Sequence, residues 1–264
     1  MVGKTGMKTS IIIPARFGST RFPGKPLALL NGKAVLHHVY DVARQASDKN
    51  TTIHVATDDD RIADFCTSNN IPFVMTSAEC ATGTDRAMAA IKELETKPDF
   101  IINLQGDAPL TPPDFVRALI DTFTSAPNAD IITPVTQLSW DELDQLRDHK
   151  KQTPFSGTTA TIDANGRALW FSKNIIPAIR KENRTHPLSP VYRHIGIYGY
   201  KRASLEKYIA LAPSFYEDLE GLEQLRALEN GMTIQTVVVD YKGRPAMTGI
   251  DSPEDLQRAE QLLA

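Results

Sequence analysis

The stretch TSIIIPARFGSTRFPGKP, Thr9 to Pro26, decides the fold. Its first half, with the apolar run Ile11-Ile12-Ile13 stopped at Pro14, predicts a buried strand. Its second half is a loop with three cations (Arg16, Arg21, Lys25), hydroxyls at Ser19 and Thr20, and glycines at 18 and 24. Glycine permits close backbone approach, and free amides with nearby cations hold phosphate oxygens. A solvated basic turn would have the same composition. Its place after a first strand and before a helix selects phosphate binding. Five residues separate Gly18 from Gly24 and Pro26 follows Lys25, so this is no Walker A loop; nor does it contain G-x-G-x-x-G.

Working outward, Val35, Leu36, Val39, Tyr40 and Ala43 recur at helical spacing and predict a helix over about 34–47. Further strands are expected at 51–56, 72–75, 100–104 and 130–134. Helices are expected from Asp58–Asp60 through Cys66, over 85–94, and over 114–124 behind Pro112-Pro113. This βαβαβαβ alternation predicts an α/β fold, a mostly parallel sheet sandwiched by helices, with ligands at the carboxyl ends of the strands. The rhythm changes after 135. A helix is expected over 139–147, an irregular polar segment over 149–156, strands at 158–162, 168–172 and 193–200, and a polar loop over 181–190. A helix at 217–230, a strand at 233–239 and a closing helix at 253–263 follow. The economical reading is a single domain, 1–264, with a mixed insertion at about 136–200.

Composition narrows the function classes. The chain has 264 residues, 29 Lys+Arg against 32 Asp+Glu, and a net charge of -3, giving no bulk attraction to nucleic acid or anionic membrane. No apolar run approaches the ~18–20 residues of a membrane span. Lys4 and Lys8 have no long apolar region behind them, so no signal peptide is expected. Two cysteines, Cys66 and Cys80, fit a reduced cytoplasmic protein.

Several residues could carry chemistry. Asp107 ends a strand in Leu104-Gln105-Gly106-Asp107, and Asp251 precedes the helix start Ser252-Pro253. Mg²⁺ typically takes one or two such carboxylates plus phosphate oxygens. A strand-end Asp is equally at home as a turn or cap residue. Thr82-Gly83-Thr84-Asp85-Arg86 is a small-residue turn before a helix, able to admit a base or ribose or to serve only as a capped turn. His194 and Tyr198 lie four apart on an expected strand, hence on one face, where they suit either a polyhydroxylated ligand or the core. Glu223-Gln224 would by default be a solvated helix face.

These motifs together resemble the 3-deoxy-D-manno-octulosonate (Kdo) cytidylyltransferase family, over Ser10 to about Leu262. The carriers are the loop at 13–26, Val55-Ala-Thr-Asp-Asp59, Thr82-Gly-Thr-Asp-Arg86, Asn103-Leu-Gln-Gly-Asp-Ala-Pro109, Arg193-His-Ile-Gly-Ile-Tyr198, Leu222-Glu-Gln-Leu-Arg226 and Gly249-Ile-Asp-Ser-Pro-Glu-Asp255. The resemblance implies a nucleotide-diphospho-sugar transferase fold, transfer of CMP from CTP to Kdo for lipopolysaccharide biosynthesis, a cytoplasmic location and a homodimer. It implies that Ala15, Arg16, Ser19 and Lys25 hold CTP, that Thr82, Gly83 and Arg86 line its cytidine side, and that Gln105 lies between nucleotide and sugar. Lys173, His194, Tyr198, Glu223 and Gln224 would bind the sugar acid, and Asp107 and Asp251 would hold Mg²⁺. Arg16, Lys25, Asp107 and Asp251 would then be the catalytic set.

Two departures bear on the sugar. Leu169-Trp-Phe-Ser-Lys173 has Lys where the family has Arg, which keeps the charge but loses the bidentate fork. Lys151-Gln-Thr-Pro-Phe-Ser-Gly157 replaces another usual family segment. The rivals are a cytidylyltransferase for 8-amino-Kdo or a sialic acid, a nucleotide-binding protein without turnover, and a glycosyltransferase. The last would show an Asp-x-Asp metal motif, which Asp58-Asp59-Asp60 formally matches where a helix cap is expected.

Overall fold

Ile11, Ile12 and Ile13 are all fully buried because side chains alternate across the first strand and both faces of its sheet are covered. Ile11 and Ile13 join one core cluster with Leu36, Val39, Val55, Val116 and Leu119, and Ile12 joins another with Ala87, Met88, Ile91, Leu205 and Leu225. The structure, a computed structural model, describes residues 6–18, 21–244, 246 and 249–263.

The first half of the chain runs β1 (Thr9–Ala15), the small hairpin β2 (Leu29–Leu30) and β3 (Lys33–Ala34), α1 (Val35–Ala46), β4 (Thr51–Thr57), α2 (Asp60–Ser68), β5 (Phe73–Met75), α3 (Gly83–Glu93), β6 (Phe100–Asn103) and α4 (Pro113–Ser125). Strands β5, β4, β1 and β6 lie side by side, all parallel. The second half runs β7 (Ile131–Ser139), α5 (Trp140–Gln152), β8 (Thr159–Ile162), β9 (Ala168–Ser172), β10 (Leu188–His194), β11 (Tyr198–Lys201), α6 (Arg202–Ile209), α7 (Phe215–Glu220), α8 (Gln224–Glu229), β12 (Ile234–Val238) and α9 (Pro253–Leu263). Its strands extend the same sheet in the order β6-β11-β7-β10-β8-β9, each pair antiparallel, and β12 runs parallel to β7.

The helix over 34–47 and the strand at 51–56 fall where periodicity placed them. Three expectations are corrected. The strand expected over 193–200 is two strands, β10 and β11, joined by a turn at Ile195–Ile197, where Ile197 N–H donates to Ile195 O at 2.7 Å. The helix expected over 217–230 is two short helices broken at Gly221, whose φ of 61° is left-handed. Helix α5 continues to Gln152, through much of the segment expected to be irregular. In addition, β11 lies between β6 and β7. Among the described residues no helix is long and apolar enough to cross a membrane.

Candidate active site

Two adjoining clefts open at the carboxyl ends of β1 and β6. The smaller, about 280 Å³, is lined by Ala15, Arg16, Gly18 and Lys25 from the cationic loop, with Gly83, Gln105, Gly106 and Asp107 facing them. The larger, about 750 Å³, is lined among others by Lys173, Arg193, His194, Tyr198, Glu223 and Gln224. Gly83, Gln105 and Asp107 line both.

Close backbone approach makes the junction. A Cβ at Gly106 would sit 2.4 Å from the Pro14 carbonyl oxygen, so only glycine lets the loop after β6 lie against the end of β1. The Ile250 N–H donates to Asp107 O at 2.8 Å and brings the segment before α9 to the same place. Ser252 and Asp255 cap α9 reciprocally, which leaves the Asp251 carboxylate for the cleft. Lys25 Nζ then lies 2.7 Å from Asp107 Oδ2 and 3.3 Å from Asp251 Oδ1, and Arg21 Nη2 lies 3.3 Å from the same Asp251 oxygen. Two carboxylates on one cation are an all-oxygen donor pair that fits a hard divalent ion. Among the described residues no group of three or more acidic, His or Cys side chains could hold a metal alone, so phosphate or water oxygens would complete such a site.

The larger cleft has a neutral polar wall. His194 is buried, its Nε2 is 2.8 Å from Thr133 Oγ1, and the Thr133 hydroxyl donates onward to Ile197 O at 2.9 Å. That network assigns the proton to Nε2 and leaves Nδ1 an acceptor. Burial, then the charge of Lys173, lowers the His194 pKa to about 3, so the ring is neutral. Burial pushes the Tyr198 phenol far above its usual range, and its hydroxyl donates to Gln224 Oε1 at 3.0 Å. Gln224 Nε2 is buried with no hydrogen-bond partner among the described residues, a donor available to a ligand. Glu223 accepts from Thr84 Oγ1 at 3.2 Å; burial raises its pKa and the Thr84 bond partly opposes the rise. Lys173 and Arg193 have no ion-pair partner among the described residues, so the wall offers two uncompensated cations.

The structure does not bring every expected residue to the cleft. Ser19 lies outside the described residues. Thr82 is the N-cap of α3 in a capping box with Asp85 and does not line either cleft. Arg86 does not line either cleft. Its side chain is fully buried, with Nη2 2.8 Å from Asp58 Oδ2 and Nη1 2.6 Å from Thr76 Oγ1. The same pair answers the Asp-x-Asp alternative: Asp58 holds Arg86, and Asp59 caps α2 by accepting from Arg61 N–H at 3.0 Å. Arg16 Nη2 donates to the Cys80 carbonyl. Arg193, Thr84 and Tyr241 are wall residues that sequence reasoning missed. For Arg193 the available signal was its place beside His194 in a cation-poor stretch.

The sheet, parallel through β5-β4-β1-β6, with a cationic loop after its first strand facing a carboxylate pair, defines a nucleotidyltransferase, and a family model described as "Cytidylyltransferase" matches residues 10–234. A 3-deoxy-manno-octulosonate cytidylyltransferase of Maricaulis maris is 42% identical over 258 residues, covering 98% of both chains. An 8-amino-3,8-dideoxy-manno-octulosonate cytidylyltransferase of Shewanella baltica is 41% identical, covering 98% of this chain and 99% of its own. The solved structure of a CMP:2-keto-3-deoxy-manno-octonic acid synthetase complexed with CTP superposes with a TM-score of 0.83 at 33% identity, covering 97% of this chain and 98% of the other. The chain belongs to the cytidylyltransferase family.

Proposed function

We propose that the protein transfers CMP from CTP to 3-deoxy-D-manno-octulosonate, giving CMP-Kdo and pyrophosphate for lipopolysaccharide biosynthesis. The observation that carries this reading is the junction of the clefts. Gln105, Gly83 and Asp107 line both the cationic-loop cleft and the cleft walled by Lys173, Arg193, His194 and Tyr198. A triphosphate on one side and an anionic polyol on the other would meet there.

The anomeric hydroxyl oxygen of the sugar attacks the α-phosphorus in line; the new O–P bond forms as the bond to the α,β-bridging oxygen breaks, pyrophosphate leaves with that electron pair, and the hydroxyl proton passes to solvent or to the departing pyrophosphate. Holding both reactants at one junction supplies orientation, and fixed cations offset the charge of the leaving group. In this reading Arg16 and Lys25 hold phosphate oxygens, Lys25 moving from the carboxylates to the nucleotide. Lys173 and Arg193 attract the sugar carboxylate, while neutral His194, Tyr198 and the free Gln224 amide donate to or accept from hydroxyls. Asp107 and Asp251 would hold Mg²⁺, which when bound neutralises phosphate charge. Thr82 and Arg86 support the cytidine side from behind, with Ala15 and Gly83 against the nucleotide and Ser19 on the phosphates. We further propose a cytoplasmic enzyme acting as a homodimer, one domain in which the segment 136–200 serves sugar recognition and pairing.

The similar 8-amino relative makes 8-amino-Kdo the second reading. Pyrophosphate release with CTP, Mg²⁺ and a panel of Kdo, 8-amino-Kdo and sialic acid tests both. Release with Kdo is expected. Release with sialic acid alone would transfer the assignment, and no release with any sugar acid would end it.

A further inference from the structure

Lys150 lies near the end of α5 and does not line the cleft. Its half-buried ammonium nonetheless faces four backbone carbonyls, those of Pro154 at 3.3 Å, Ser156, Gly157 at 3.0 Å and Lys173 at 2.6 Å. Three belong to the turn after α5, where Phe155, Ser156 and Gly157 form a rim of the larger cleft; the fourth belongs to Lys173, on the wall of that cleft. An ammonium has three N–H donors and no acceptor, so carbonyl oxygens satisfy it without a counter-ion. It thus cross-links two stretches of chain at the cleft.

The other side of the same residue is also held. The Lys173 N–H donates to Glu220 Oε2 at 2.7 Å, and Glu220 Oε1 accepts from Ser172 Oγ at 2.8 Å. Both backbone polar groups of Lys173 therefore end on charged side chains, a cation on its carbonyl and an anion on its amide. Charge-assisted bonds of this kind are stronger than neutral ones.

We infer that Lys150 is a positioning residue for sugar-acid recognition: with Glu220 it clamps the Lys173 backbone so that the Lys173 ammonium meets the carboxylate from a fixed base. A lysine offers a point charge on a flexible stem, not the rigid fork of arginine. The precision that a fork would bring to a carboxylate must then come from where the stem is rooted, and a root fixed beforehand lowers the ordering cost on binding. The clamp also couples the two segments that depart from the resembled family, Lys173 and 151–157, into one device. The inference rests on reading the larger cleft as the sugar-acid site.

The test is steady-state pyrophosphate release by wild type and by Lys150→Met, with CTP and sugar acid varied separately. Wild type is assayed first with Kdo, 8-amino-Kdo and sialic acid; failure with all three would refute the substrate reading and not the clamp. With the accepted sugar acid, Lys150→Met is expected to raise its KM about tenfold while KM for CTP stays within about twofold. Lys150→Ala is expected to regain sugar-acid affinity on adding propylammonium chloride, which a merely structural loss would not do. A sugar-acid KM within twofold of wild type, or both KM values rising together, would overturn the inference. Should the Lys150 variants fail to fold, Glu220→Gln is read by the same split, with a selective rise in sugar-acid KM expected and an unselective one overturning it.

Discussion

Replacing Asp58 by Asn tests whether Arg86 is a strut or a ligand contact. The Arg86 side chain has no solvent exposure, and among the described residues its Nε is unpartnered and its only carboxylate is Asp58 at 2.8 Å. Asn keeps the shape but removes the counter-charge, leaving a cation in a place water does not reach. Breaking a buried pair from one side costs about 3–5 kcal/mol. The Asp58 side chain is 18% exposed, so some screening survives and a cost at or just below the bottom of that range, roughly 2–3 kcal/mol, is expected. At about 2–4 °C per kcal/mol for a chain of this size, the melting temperature falls by roughly 4–12 °C. Neither residue lines a cleft, so KM for CTP should stay within about twofold. Thermal unfolding and CTP kinetics on the same preparation check both halves. The double variant Asp58→Leu, Arg86→Met should recover much of the loss, because apolar replacement of a buried pair is often neutral. An unchanged melting temperature with a large rise in KM for CTP would refute the argument and return Arg86 to the nucleotide.

Three further outcomes are expected. Asp107→Asn should cut turnover by about 100-fold or more while circular dichroism is unchanged, because it removes one of the two carboxylates on Lys25; a rate near wild type would remove Asp107 from the reaction. Gly106→Ala should lose stability by about 1–3 kcal/mol and activity by more than tenfold, since its Cβ meets a backbone oxygen that can yield only if the two loops part; urea unfolding and an activity assay decide it. His194 has a pKa near 3 in the fold against 6.5 as its ordinary value. Below pH 6.5 the unfolded chain takes up a proton that the native ring refuses, so this contribution to stability falls as pH drops from 6.5 towards 3, by roughly 1 kcal/mol per pH unit. Urea midpoints of His194→Gln should show a shallower acid slope than wild type over that window, and equal slopes would contradict it.

What the sequence made legible is what local chemistry specifies. Three consecutive isoleucines demand two covered faces, and the residues of 13–26 announce an anion-holding loop wherever they are placed. What stayed hidden depends on pairing between distant segments. That β11 would enter between β6 and β7 is written in no periodicity, because an antiparallel strand there reads like any other. The break at 195–197 hides inside an apolar run whose members, Ile195 and Ile197, look like strand residues; the turn is fixed by Thr133, some 60 residues away in sequence, accepting from His194 and donating to Ile197 O. Arg86 shows the same limit at the site. A cation at the start of a helix after a small-residue turn looks alike whether it faces a ligand or a buried carboxylate, and only Asp58, 28 residues away, distinguishes the two.

The charges at the junction bear on how a weakly acidic chain would take the anionic nucleotide proposed above. Asp107 and Asp251 are balanced locally by Lys25 and Arg21. Like charges brought to one point repel unless a cation separates them, and Lys25, only 12% exposed at its side chain, does this while largely shielded from solvent. An incoming triphosphate would add several negative charges and compete for the same ammonium, with Arg16 the one further cation lining that cleft among the described residues. Either Lys25 moves to the nucleotide and leaves Asp107 without its cation, with only Arg21 still on Asp251 among the described residues, or another positive charge arrives with the nucleotide. The second course costs less, and an all-oxygen pair selects a hard divalent ion over a side chain to fill the place. The metal proposed above is thus supported by the balance of charge at Lys25 as much as by the two carboxylates, and in that proposal the loop and the acids form one exchange site, with neither complete alone.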